Sequence, residues 1–312
     1  MSSGRAQLVV SVPDEEYAAQ LGDLDGVETV VWDMQGPHPR VGDIDLVVRP
    51  YLQPVDLAAV LEGARALKVV QIQSAGYEDV LPHVPAGVTL CNAAGVHDAS
   101  TAELAVGLAI ASLRDLPEFV RSQDRHVWQD WSYRRSLADS RVLLLGYGQI
   151  GRAIGSRLRP FEVSLTAVAS RPRPGDDLVE WIHGIEELPD LVTAADVLII
   201  IVPLTLATRR VVDADLLARM PDGALVVNVA RGGIVDTDAL VAECASGRLR
   251  AALDVTDPEP LPAGHPLWST PGVLITPHVG GATRAMRPRS IALVRRQIEA
   301  LRDGRQLANV VS

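Results

Sequence analysis

The sequence predicts an α/β protein built as two domains with parallel sheets, and three observations carry that prediction. The chain has 312 residues, room for two hydrophobic cores. Short apolar runs alternate with helical patterns over most of its length, as in parallel strands joined by crossover helices. The third observation is RVLLLGYGQIG at 141–151, where a run of strand length meets Gly146, Gly148 and Gly151 and passes into a helical pattern. Gly146 permits a tight strand-to-helix turn, Gly148 a close approach to a pyrophosphate, and Gly151 close helix–strand packing. The helix N-terminus then presents N–H groups and a positive dipole end to the phosphates.

In chain order, strands are expected at 7–12, 28–31, 44–48 and 68–73, with helices at 14–21 and 56–67 between them. Pro82, Pro85 and Gly87 interrupt the pattern before a strand at 88–91. Ser100 and Glu103 have capping-box spacing at the head of a long apolar helix, TAELAVGLAIASLRDL. After Pro117 comes RHVWQDWSYRRSL, in which Trp128, Trp131 and Tyr133 mark either an interface or packing on the domain's own surface. The second alternating unit has strands at 142–145, 164–169, 197–202, 225–229, 251–255 and 273–276. Helices fall at 150–159, 213–219 and 237–245. Six such strands after a glycine fingerprint make a doubly wound, Rossmann-type dinucleotide-binding domain. The amphipathic helix at 287–303 follows its completion and is expected to return to the first domain. That gives a discontinuous domain of residues 1–97 and 285–312, and a dinucleotide domain of residues 98–284.

A net charge of −10 argues against a nucleic-acid partner. No apolar run has membrane-spanning length, and the first residues do not read as a secretion signal. Cys91 and Cys244 lie far apart, outside metal-ligand spacing, and read as free thiols of a cytoplasmic protein. His38, His83, His97, His126, His183 and His265 form no metal-ligand pattern, so no metal is expected.

Three clusters follow predicted strands, where open α/β sheets bind ligands. In VVNVARGGIVD (226–236), Arg231 has the planar fork that grips a carboxylate. In ALDVTDPEPLP (252–262), prolines stiffen the loop that carries Glu259. In ITPHVGGAT (275–283), His278 precedes two glycines and suits proton transfer near neutral pH, with a neighbouring carboxylate expected to hold its tautomer. Taken singly, each is as readily a loop residue; the combination carries the weight.

With GYGQIG at 146–151 and PLT at 203–205, these segments give a chain that resembles the D-isomer-specific 2-hydroxyacid dehydrogenase family over nearly its whole length. The resemblance implies a flavodoxin-like substrate-binding domain beside the Rossmann-type one. It implies hydride transfer between C4 of a nicotinamide and C2 of a small 2-keto or 2-hydroxy acid. Arg231 would bind the carboxylate and polarise the carbonyl, His278 would act as the acid/base and Glu259 would pair with it. SAGYED matches the family's carboxylate loop, so Ser74, Ala75 and Gly76, with Arg49, are the expected substrate contacts beside Arg231 and His278. The cofactor set would be Gly146, Gly148, Gln149, Ile150, Gly151, Ser170, Arg171, Arg173, Pro203, Thr208, Val229, Ala230, Asp254 and Gly280. A homodimer through the 100–116 helix is also implied.

The chain departs from an NAD enzyme of this fold at AVASRPRP (167–174), where Ala169 replaces the acid that binds the ribose 2′-OH. Ser170, Arg171 and Arg173 follow and suit a 2′-phosphate, so NADP(H) is expected to be preferred, with NAD(H) also possible. That loop resembles glyoxylate/hydroxypyruvate reductases, which makes glyoxylate or hydroxypyruvate the first substrates to consider. Two further departures are Leu104, where the family has histidine, and Glu162, where many members have glycine. A nucleotide-sensing protein like the corepressors of this fold, or a phosphite dehydrogenase, are the alternatives. Formate is disfavoured because formate enzymes place glutamine where Glu259 stands.

Overall fold

The first strand, β1 (Leu8–Val12), is buried at every position, as befits a strand covered on both faces. It is followed by α1 (Glu15–Leu21), β2 (Val27–Val31), β3 (Leu46–Val48), α2 (Leu57–Val60), β4 (Val69–Gln71) and β5 (Thr89–Cys91). The structure, a computed structural model, describes residues 7–51 and 53–311. These five strands form a parallel sheet in the order β2-β1-β3-β4-β5, that of flavodoxin-like doubly wound sheets, as predicted. Asp14 starts α1 by accepting from the Tyr17 N–H at 2.7 Å. The helix expected over 56–67 is only α2; Gly63 lies in the left-handed region at φ 82° and the chain turns there.

The chain continues through α3 (Asp98–Leu113), α4 (Leu116–Asp124), β6 (Arg141–Leu145), α5 (Gln149–Leu158), β7 (Ser164–Ala169), β8 (Arg173–Pro174) and β9 (Trp181–Gly184). Then come α6 (Leu188–Leu191), β10 (Val197–Ile200), α7 (Ala214–Arg219), β11 (Leu225–Asn228), α8 (Thr237–Ala245), β12 (Arg250–Leu253), β13 (Val273–Ile275) and α9 (Met286–Arg302). Two compact units result: Met1–His97 with Arg284–Ser312, and Asp98–Thr283. In the first, Ile291, Val294 and Ile298 of α9 pack with Val10, Val12, Tyr17 and Leu21.

The second unit holds an eight-stranded sheet ordered β13-β12-β11-β10-β6-β7-β9-β8, parallel except for β8. Sequence reading found six of these strands and missed β8 and β9. β8 is two residues long and half proline, and β9 (WIHG) is four residues ending in glycine, too short for a period to show. Alternate residues of β6 serve opposite cores. Leu143 and Leu145 face a cluster with Leu216, Leu217 and Leu240 of α7 and α8, whereas Val142 and Leu144 face α3 and α5 through Ala105, Ala109 and Ile154.

One expectation about α3 is corrected. Ser100 lies inside the helix, which begins at Asp98, and its hydroxyl bonds the Thr283 hydroxyl at 2.7 Å rather than capping. Within its own unit Ala102, Ala105, Leu108, Ala109 and Leu113 of the helix are buried. Trp128, Trp131 and Tyr133, by contrast, are 96, 82 and 93% exposed. Glu162 adopts φ 59°, the conformation that makes glycine usual at this position.

The fingerprint glycines are fixed by contact. Gly146 has φ 115°, and a Cβ there would lie 2.6 Å from the Ile201 carbonyl oxygen. A Cβ on Gly151 would lie 2.2 Å from the Gly146 carbonyl oxygen. Gly151→Ala therefore has to push α5 off the sheet, and we expect a loss of about 2–3 kcal/mol in unfolding free energy by urea titration. A loss below about 0.5 kcal/mol would show that the approach is not tight.

Candidate active site

In the larger unit every sequence-predicted site residue lies at or beyond the C-terminal end of a parallel strand. The fingerprint follows β6, Ser170 to Arg173 follow β7, Pro203 to Thr208 follow β10, Arg231 follows β11, Asp254 and Glu259 follow β12, and His278 follows β13. This is the edge at which open α/β sheets bind ligands.

The fingerprint fits a dinucleotide. Gly148 is the N-cap of α5, and a Cβ built on it would meet nothing within 4 Å, so the backbone is open to a phosphate. Gln149, Ile150 and Gly151 form the first turn of α5, whose N–H groups have no helical acceptor. Ala169 ends β7 where an acidic residue would meet a ribose, and Ser170, Arg171 and Arg173 beyond it are exposed. Arg173 Nη2 donates to the Tyr147 carbonyl at 2.9 Å, which brings its charge to the fingerprint loop. After β10, the Thr208 hydroxyl donates to the Pro203 carbonyl at 2.6 Å and closes a tight turn. Val229 and Ala230 are buried at the end of β11.

The three residues expected to carry chemistry are placed as follows. His278 Nδ1 and Glu259 Oε1 are 2.5 Å apart, which leaves Nε2 as the other face of the ring. Burial pushes the Glu259 carboxyl up, but the bond to His278, that ring's charge, the Thr256 N–H and the Arg231 charge outweigh it and hold the group below its ordinary value. It therefore stays ionised beside the ring. Arg231 donates from Nη1 to the Ala230 carbonyl at 2.7 Å, and among the described residues its guanidinium makes no other hydrogen bond.

Sequence reasoning missed the groups that hold these three. Asn228, 1% exposed, donates to the Arg231 carbonyl at 2.9 Å and accepts from the Ala230 N–H at 3.0 Å, bracing the loop from within. Asp254, expected among the cofactor contacts, is 2% exposed and has both oxygens engaged elsewhere. Oδ1 accepts from the Thr276 hydroxyl at 2.6 Å and the Val279 N–H at 2.9 Å, and Oδ2 from the Gly280 N–H at 2.8 Å. The Asp254 carbonyl accepts from the His278 N–H at 2.8 Å. The histidine loop is thus wrapped around one buried carboxylate, which helps hold His278 at φ 53°. Its only sequence signal is an aspartate where a buried strand ends.

In the smaller unit, Ser74, Ala75 and Gly76 form a loop after β4. The Ser74 hydroxyl donates to the Gly76 carbonyl at 2.7 Å, and Asn92 donates to the Ala75 carbonyl at 2.7 Å. No described residue accepts a hydrogen bond from the backbone N–H of Ser74, Ala75 or Gly76. Arg49 donates from Nη2 to the Gln53 carbonyl at 3.0 Å, while its buried Nε finds no acceptor among the described residues. Among the described residues no cluster of His, Cys, Asp and Glu suits a metal ion, and no helix is long and apolar enough to cross a membrane.

A glycine fingerprint on a doubly wound sheet, with a histidine–carboxylate pair at the strand ends, defines a nicotinamide-dependent oxidoreductase. Comparison with known proteins gives the family. Residues 106–280 match the NAD-binding domain of D-isomer specific 2-hydroxyacid dehydrogenases. The human glyoxylate reductase/hydroxypyruvate reductase is 35% identical over 73% of this chain and 72% of its own length. A D-isomer specific 2-hydroxyacid dehydrogenase from Xanthobacter autotrophicus Py2, solved with NADPH and MES, is 25% identical with TM-score 0.84, covering 98% of both chains. An NADPH-dependent glyoxylate/hydroxypyruvate reductase from Sinorhizobium meliloti, solved with NADP and malonate, is 27% identical with TM-score 0.79, covering 98% of this chain and 97% of that one. The chain belongs to the D-isomer specific 2-hydroxyacid dehydrogenase family, an NAD(P)-dependent oxidoreductase of small 2-hydroxy and 2-keto acids.

The lowered Glu259 carboxyl sets a pH dependence. Its contribution to stability is present above the unfolded value of 4.5 and falls away as pH drops through the lower native value. The difference in urea midpoint between the wild type and Glu259→Gln should therefore be constant from neutrality to about 4.5 and close below it. A difference that persists unchanged at pH 3 would count against an ionised Glu259 in the native pair.

Proposed function

We propose that this chain is an NADP(H)-preferring reductase of small 2-keto acids, with glyoxylate and hydroxypyruvate as first substrates. The observation that carries the nucleotide preference is Arg173, anchored to the fingerprint loop beyond a strand that ends in alanine instead of an acid. A 2′-phosphate would find arginine forks there and no carboxylate at the strand end to repel it. Gly146, Gly148, Gln149, Ile150, Gly151, Ser170, Arg171, Arg173, Pro203, Thr208, Val229, Ala230 and Gly280 would hold the dinucleotide, with Asp254 acting behind them through Gly280. The nicotinamide, when bound, supplies the hydride.

The chain's own residues supply the rest. Arg231 presents a planar fork to a carboxylate and places positive charge where a carbonyl oxygen becomes negative during reduction. His278 holds a proton on Nε2 for that oxygen, and in the reverse direction accepts it. Glu259, ionised at 2.5 Å from Nδ1, fixes the orientation of the ring. We assign the substrate carboxylate also to the Ser74, Ala75 and Gly76 N–H groups and to Arg49. Buried free thiols, pushed by burial up to about 11 for Cys91 and about 12 for Cys244, suit a reducing cytoplasm.

The test is NADPH oxidation, and NADH oxidation separately, with glyoxylate, hydroxypyruvate, pyruvate, phenylpyruvate and a branched 2-keto acid. We expect the highest kcat/KM with NADPH and one of the first two acids. Replacing Arg171 and Arg173 by glutamine should raise KM for NADPH at least tenfold more than for NADH, the scale of a lost charge-assisted contact. Equal effects on the two nucleotides would defeat the 2′-phosphate assignment. Tight binding of both nucleotides with no turnover would favour a nucleotide-sensing role and make phosphite the next compound to try.

A homodimer is part of the proposal. Its contact is assigned to the 100–116 helix region together with the exposed Trp128, Trp131 and Tyr133 beyond it, whose exposure is what an interface removes. The Trp128→Ala, Trp131→Ala double variant should sediment as a monomer where the wild type sediments as a dimer; an unchanged dimer would place the contact elsewhere.

A further inference from the structure

The residue between the first two fingerprint glycines is a tyrosine bonded at both ends. Tyr147 is 6% exposed. Its carbonyl accepts from Arg173 Nη2 at 2.9 Å, and its hydroxyl donates to Asp176 Oδ1 at 2.9 Å. Asp176 lies three residues beyond Arg173, so Tyr147, Arg173, the intervening backbone and Asp176 close a ring. Burial, and then the adjacent Asp176 carboxylate, keep the phenol well above its ordinary value, so it remains a donor.

The rest of the ring is equally constrained. Arg173 pairs with Ile182 of β9 through the antiparallel β8–β9 ladder. Between Arg173 and Asp176, Gly175 has no room for a Cβ, which would fall 1.8 Å from the Val179 carbonyl oxygen. Asp176 Oδ1 also takes the Leu178 N–H at 2.9 Å, and Oδ2 takes Arg152 Nε at 2.9 Å. Arg152 reaches Asp177 through Nη2 at 2.6 Å. Both acids beside the nucleotide loop are therefore matched by a cation from α5, while among the described residues Arg173 meets no carboxylate. Its Nη2 bond to Tyr147 and a 3.4 Å contact from Nη1 to the Arg171 carbonyl leave most of its five N–H donors for a ligand.

We propose that Tyr147 is a selectivity-positioning residue: its hydroxyl bond to Asp176 fixes the carbonyl that aims Arg173 at a 2′-phosphate, and Arg152 keeps the neighbouring acids from repelling that group. The proposal deepens the NADP(H) reading and rests on it. It differs from a merely structural role, because loosening the loop would weaken every adenosine ligand alike, whereas misaiming Arg173 weakens only those with a 2′-phosphate.

The experiment is calorimetric titration of the full chain with adenosine 2′,5′-bisphosphate and with 5′-AMP, taking the ratio of the two Kd values. Tyr147→Phe should lower the wild-type preference for the bisphosphate about fivefold, the scale of one hydrogen bond. Tyr147→Leu, which also lacks the hydroxyl and leaves the Asp176 charge in place, should do the same and serves if the first variant does not fold. In the Tyr147→Phe, Arg173→Gln double variant the preference should be no lower than in Arg173→Gln alone, because both act through one contact. An unchanged ratio in Tyr147→Phe and Tyr147→Leu, or additive losses in the double variant, would overturn the role of Tyr147 while leaving Arg173 as a phosphate ligand. A wild-type ratio near one would instead remove the NADP(H) reading, and the proposal with it.

Discussion

The larger unit is gauged by the approach of α5 to the Gly146 carbonyl. Gly151 lies so close to that oxygen that no side chain fits, and Gly146 itself lies against the Ile201 backbone on the neighbouring strand. Strand β6, strand β10 and helix α5 thereby share one contact point. A strand end, a helix N-terminus and the next strand's exit converge there, and the fingerprint N–H groups point outward as a consequence. Nothing polar needs to be built at this place, because removing Cβ atoms is enough.

The loops that carry His278 and Glu259 obey a different constraint, a buried carboxylate that must be satisfied. Asp254 is nearly inaccessible and takes bonds from Thr276, Val279 and Gly280, so residues 276–280 have little choice of path. His278 inherits its left-handed backbone partly from that wrapping and meets Glu259 on the loop that leaves the same strand. One aspartate thus sets the histidine end of the pair without touching either side chain. Asn228 does the corresponding work for Arg231 one strand away, through backbone groups on both sides of Ala230.

Much of this was legible in the sequence, for identifiable reasons. The strands of both sheets announce themselves because parallel strands are apolar on both faces, and the glycine fingerprint because few residues fit such contacts. Arg231, Glu259 and His278 were readable as a set, each just past a strand and each of a type that chemistry needs. What escaped were features with no period and no local signal. β8 and β9 are too short to alternate, and the 56–67 stretch looks helical until Gly63 turns it. Ser100 and Glu103 have capping spacing, yet the serine lies inside the helix and bonds a hydroxyl far along the chain, at Thr283. Asp254, Asn228, Tyr147 and Asp176 act through partners that only the fold brings near.

The edge strand β8 has a consequence for how the molecules behave in company. A sheet that ends in a bare strand offers its unpaired groups to any extended segment that drifts past, the first step towards precipitates and fibres. Here the eight-stranded sheet ends in two exposed residues, an arginine and a proline that has no N–H to donate. A stranger strand would find one donor missing and a cation to bury, and that cation is the arginine that reaches back to the fingerprint loop.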